Sequence, residues 1–89
     1  MAEINVTRKD DETFEVTVRD STTTTHMVTL TNDYCQKLTG GKVSPEELIE
    51  KSFEFLLERE SNSMILTSFD LPIIGDYFPE YEKTIVGHL

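Results

Sequence analysis

Cysteine is nearly missing from this chain, and Cys35 stands alone. A lone cysteine supports neither an internal disulfide framework nor a four-cysteine zinc site, and it fits a reducing compartment. Cations are scarce too: eight Lys and Arg stand against 17 Asp and Glu, for a formal charge of −9. That balance opposes a phosphate backbone and disfavours nucleic acid as a partner. No apolar run approaches the roughly 18 residues of a membrane span, and the polar stretch from Met1 to Asp10 lacks the apolar segment of a secretory signal. The expectation is a soluble cytoplasmic protein with no membrane partner. A length of 89 residues suits one domain spanning 1–89 rather than two, with about 64 % of the unfolded surface buried on folding.

What is present is organised by period. From Glu3 to Arg19 the chain alternates, with Ile4 and Val6, then Phe14, Val16 and Val18, set against Asn5, Thr13, Glu15 and Thr17. This predicts two strands around the charged break Lys9 to Glu12, of hairpin length but without the Asn-Gly or Asp-Gly that would fix its turn. A third alternating run, His26 to Leu30, follows the tract Ser21 to Thr25. Its four threonines suit either an extension of the strand or a polar loop.

After Thr31 the period lengthens. Tyr34 and Leu38 are four apart and Gly40-Gly41 supplies a left-handed stop, which predicts a short helix over 32–39. The segment Val43-Ser44-Pro45-Glu46-Glu47-Leu48 combines a capping serine, proline at the first helical position and a glutamate three residues after the cap. The helix it opens carries Leu48, Ile49, Phe53, Phe55, Leu56 and Leu57 over more than half its circumference, and runs to the turn formers Ser61-Asn62-Ser63. Met64 to Phe69, apolar nearly throughout, predicts a central strand covered on both faces. Asp70 is placed to cap a short segment with Pro72 in its first turn, which Pro79 stops. The tail from Glu80 to Leu89 is expected to be only partly ordered.

The inventory for chemistry is thin. Gly40-Gly41-Lys42 has Gln36 and Val43 where a phosphate loop needs glycine and a hydroxyl, so it reads as a turn between helices. Cys35, His26 and His88 offer no recognisable nucleophile and base, and no His or carboxylate spacing matches a metal site. No catalytic residue, metal or cofactor is therefore nominated, and an enzyme is not expected. The aromatic set Tyr77, Phe78 and Tyr81 around Pro79 reads as satellite core packing more readily than as a ligand platform.

Glu46, Glu50, Glu54 and Glu58 are the feature that asks for a cause. At i, i+4 spacing like charges cost roughly 0.2 to 0.5 kcal/mol per pair, and Lys51 relieves only part of this. Tertiary packing of the opposite face with a solvated acidic back is one account. The other is contact with a basic protein partner, for which these four glutamates are the candidate interface. The apolar arc of the same helix exceeds what one small sheet covers, which points to a homodimer.

The order of strand, short helix, turn and long helix (His26 to Leu30, Asn32 to Leu38, Gly40-Gly41, Ser44 to Glu60) resembles a ribbon-helix-helix repressor unit. That resemblance implies a dimer whose paired strands face DNA, with Thr25, Met27 and Thr29 as the candidate DNA-facing side chains and Ser44 near phosphate. With the strands before it, Thr13 to Glu60 is also similar to HicB-type antitoxin domains, which implies a dimeric regulatory role. The strand holds no Arg, Lys, Asn or Gln to read bases. The favoured reading is thus a non-enzymatic binding or regulatory module acting through protein contacts, with a DNA-binding regulator or antitoxin as the alternative. The expected fold is α+β: a small antiparallel sheet of three N-terminal strands plus a later fourth, packed with two helices and a short C-terminal helical segment.

Overall fold

Alternating side chains from Glu3 to Thr29 build three antiparallel strands in the computed structural model, which describes residues 2–89. They are β1 (Glu3–Arg8), β2 (Thr13–Arg19) and β3 (Thr23–Thr29). Register sets Val16 between Val6 on one side and His26 on the other, and pairs Phe14 with Val28. One face therefore collects Phe14, Val16, Val18, His26 and Val28, all buried, while Asn5, Thr17, Thr25 and Met27 share the open face. The threonine tract divides: Thr23 to Thr25 extend β3, and Ser21 and Thr22 remain in the connection. The hairpin break is closed by Asp10, whose Oδ1 accepts the amides of Glu12 at 3.0 Å and Thr13 at 2.9 Å. A carboxylate does there what an Asn-Gly turn does elsewhere.

Helix α1 (Asn32–Thr39) has the expected bounds. Thr31 Oγ accepts the Tyr34 amide at one end, and Gly40, at φ 60°, ends it in the left-handed region. Helix α2 (Pro45–Leu57) starts where Ser44 Oγ accepts the Glu47 amide at 3.1 Å. It ends one turn earlier than the sequence suggests. Leu48, Ile49, Ser52, Phe53, Phe55 and Leu56 are buried along it.

The fourth strand departs from expectation. Asn62–Met64 form a 3₁₀ turn, and only Ser68–Asp70 form a strand, β4, at the edge of the sheet and parallel to β3. The sheet is thus mixed, in the order β1-β2-β3-β4. The run from Met64 to Phe69 is neither central nor covered on both faces. Ile65 and Phe69 point into the core, while Met64 and Leu66 are 70 % and 44 % exposed. Long-range hydrogen bonds hold it there. The Asn62 side-chain amide donates to the carbonyls of Val18 and Thr22, and the Met27 amide donates to the Thr67 carbonyl. A parallel neighbour to β3 needs a long crossover, which α1 and α2 supply.

Asp70 lies within β4 and caps no helix; α3 (Ile73–Tyr77) follows Pro72 without a side-chain cap. The tail is ordered rather than loose: it folds as α4 (Tyr81–Gly87), with Tyr81 and Ile85 in the core. That helix also accounts for the wide apolar arc of α2. The Phe55 ring meets the edges of Tyr81 and Phe78 at 5.3 and 5.9 Å, so α2 is covered by the sheet on one side and by α4 on the other. The arc no longer calls for a second copy. Ser52, the one polar group on that arc, donates to the Leu48 carbonyl at 2.7 Å. Its single proton being committed, the Tyr81 hydroxyl is the donor in their 2.7 Å contact. Among the described residues no buried side-chain N or O lacks a hydrogen-bond partner, and no helix is long and apolar enough to cross a membrane.

Candidate protein-interaction surfaces

The four glutamates of α2 do not share one environment. Glu46 stands half-buried in the first turn, with Glu47 beside it. There the positive end of the helix dipole stabilises a carboxylate, so Glu46 has a local structural cause. Glu50, Glu54 and Glu58 are exposed and run toward the negative end, whose last turn holds no basic residue. The dipole acts against Glu54 and Glu58, in the last turn and at its cap, and the i, i+4 spacing acts against all three.

These three carboxylates border a shallow groove floored by Ala2, Ile4 and Leu57, and Asp20, from the connection between β2 and β3, joins them. Four acidic side chains thus converge where α2 lies against β1. No Lys or Arg lines that groove. On the other flank, Glu54 and Glu58 share a depression with Lys51, Thr84 and His88. Arg59 lies 3.5 Å from Glu58, but it also bonds Glu80 at 3.2 Å and the Phe55 carbonyl at 3.0 Å, and it stacks 3.6 Å over the Phe55 ring. Its charge is largely committed to holding α4 against α2.

Thr25, Met27 and Thr29 line up on the open face of β3. Within the chain, β2 pairs that strand along its whole length and β4 pairs it over Met27–Thr29. Cys35 is buried on α1. Both ring nitrogens of His26 are engaged, Nε2 by the Thr24 hydroxyl at 2.8 Å and Nδ1 by the Leu66 carbonyl at 2.7 Å, which leaves neither for a thiol. His88 is exposed at the end of α4. Among the described residues no group of three or more His, Cys, Asp or Glu is placed to hold a metal ion.

Two tyrosines are perturbed, both as structural donors. Burial, reinforced by the hydrogen bond that its hydroxyl donates to Glu82 at 2.7 Å, holds the Tyr34 phenol far above the ordinary tyrosine range. Burial does the same for Tyr81, which is wholly in the core. The expected aromatic platform therefore divides. Tyr81 is core, Phe78 is half-buried against Phe55, and Tyr77 is 64 % exposed.

Sequence reasoning missed a second surface. Met64, Leu66, Phe69, Ile73 and Tyr77 surround a cleft of about 190 Å³ between the end of α2 and α3, floored by Leu56 and Ile74. The exposure of Met64 and Leu66 was hidden by an apolar run that reads locally as a buried strand.

No protein-family model, curated protein or solved structure matches the chain.

Proposed function

We propose that the protein is a small non-enzymatic binding module whose α2 carboxylates dock a basic protein partner. The observation that carries this reading is the convergence of Glu50, Glu54 and Glu58 with Asp20 around one groove free of cations. Local structure explains Glu46, whereas for the other three the neighbouring cations Lys51 and Arg59 offset only part of the repulsion. Charge arranged against the stability of its own helix marks a surface kept for contact with something outside it, and complementary charge would offset the repulsion on binding.

A regulator of the ribbon-helix-helix kind would place Thr25, Met27 and Thr29 against DNA through pairing of β3 with a twin. Pairing of β3 within its own chain, along its whole length by β2 and at Met27–Thr29 by β4, favours the protein-binding reading over that one.

The test is capture of partners from a reducing lysate on immobilised protein, beside the variant Glu50→Gln, Glu54→Gln, Glu58→Gln, with and without nuclease. A basic protein retained after nuclease and lost on the glutamine variant supports the reading. Retention that disappears with nuclease, or that ignores the substitutions, rejects it.

A further inference from the structure

The cleft beside β4 combines three features that together describe a peptide-docking site. Its rim is apolar where a solvated surface would be polar. Of the four large apolar side chains that stand exposed among the described residues, Met64, Leu66 and Tyr77 belong to this one cleft. Its volume of about 190 Å³ falls below the roughly 300 to 1,000 Å³ typical of small-molecule sites, but suits a side-chain anchor.

The second feature is an unpaired strand edge on the same wall. Thr67 O and Leu71 N bond to β3, and successive residues of a strand alternate direction. Ser68 and Asp70 therefore turn their amides and carbonyls outward from the edge of the sheet. An extended segment laid there would gain backbone hydrogen bonds while its alternate side chains drop into the cleft, the strand-addition mode of recognition.

The third is charge. Between Arg59 and Lys83 the chain has no Lys or Arg; of the carboxylates there, Asp70 lies in β4 and Asp76 in α3, the elements beside the cleft, while Glu80 and Glu82 are held by Arg59 and Tyr34. Glu60 lines the cleft directly, and Arg59 is occupied by Glu80 and Phe55. An apolar floor with an acidic margin complements an apolar anchor flanked by cations. A second copy of this chain, itself carrying −9, fits such a margin poorly.

We propose that β4 and this cleft bind an extended segment of another protein, with an apolar residue seated among Leu66, Phe69 and Tyr77 and Lys or Arg at the positions between. This site is separate from the α2 carboxylates, and it stands or falls apart from them.

The experiment selects from a random phage-displayed dodecapeptide library on the full chain, then titrates the recovered peptide, made synthetically, into labelled protein while amide resonances are followed. The expected consensus alternates apolar residues with Lys or Arg, and the perturbed amides centre on Ser68, Phe69, Asp70 and Tyr77. The double variant Met64→Lys, Leu66→Lys changes exposed side chains and should weaken binding at least about tenfold. The Glu50→Gln, Glu54→Gln, Glu58→Gln variant should bind undiminished, which separates this site from the acidic face. No enriched sequence, an acidic or unpatterned consensus, binding that survives the double lysine variant, or a self-dimer through β4 would each overturn the proposal.

Discussion

His26 Nδ1 donates a hydrogen bond to the carbonyl of Leu66 at 2.7 Å, across 40 residues of sequence. A carbonyl only accepts, so the proton sits on Nδ1, and Nε2 faces the Thr24 hydroxyl. The ring, almost wholly buried, also lies 5.4 Å from that of Phe53. One side chain on β3 thereby fixes the segment that carries Met64 and Leu66.

His26→Phe keeps an aromatic ring against Phe53 but removes both polar contacts. The expected cost is about 1 to 3 kcal/mol in urea unfolding. Amide exchange should quicken at Met27, whose N–H bonds the neighbouring Thr67 carbonyl. Unchanged exchange there would mean that the imidazole does not hold the segment.

The Tyr81 hydroxyl and Ser52 form the polar joint between α4 and α2. Tyr81→Phe leaves Ser52 bonded to Leu48 and should cost about 0.5 to 1.5 kcal/mol. Ile85→Ala removes a core side chain and should cost about 2 to 5 kcal/mol. A negligible Ile85 effect in denaturant unfolding would show the tail to be dispensable.

Raising the pH acts through the Tyr81 phenol, wholly in the core, and the half-buried Tyr34 phenol. In an unfolded chain tyrosine ionises near pH 10, whereas burial holds Tyr34 and Tyr81 protonated well beyond that. Their folded values are raised, so the stability they confer is complete below about pH 10 and is lost as pH climbs through the folded values. Tyrosinate absorbance from the fully buried Tyr81 should therefore appear together with loss of far-ultraviolet dichroism. Ionisation of all three tyrosines with dichroism intact would contradict the assigned burial.

The long helix shows why some of this architecture is readable in advance. Ser44, Pro45 and Glu47 act within one turn, so their signal is local, as is that of Gly40 at the end of α1. The fourth strand is the opposite case. Its position depends on Asn62 reaching Val18 and Thr22 and on His26 reaching Leu66, contacts over 40 or more residues that no local pattern encodes. The tail carried Tyr81 and Ile85 at helical spacing, but their burial depended on the apolar arc of α2, which read as a sign of dimerisation. The acidic spacing of Glu50, Glu54 and Glu58 was legible. Asp20 was not, because the β2 to β3 connection meets α2 only in the folded chain.

Asn62→Ala tests the long-range pin. It strips two carbonyls, on Val18 and Thr22, of a donor, with an expected loss of about 1 to 3 kcal/mol and faster amide exchange through β4. Exchange at β4 matching the parent protein would place the anchor of that segment elsewhere.

The proposed contact role of the α2 carboxylates sets partner binding against the stability of the fold. Removing the two i, i+4 repulsions among Glu50, Glu54 and Glu58 should stabilise the free protein by about 0.4 to 1 kcal/mol. The decisive measurement is therefore urea unfolding of the Glu50→Gln, Glu54→Gln, Glu58→Gln variant at low salt, made on the same preparation used for partner capture. The expected variant is more stable, less sensitive to salt, and unable to retain its basic partner. A variant that is less stable, or that is stabilised and still captures the partner, would contradict that role.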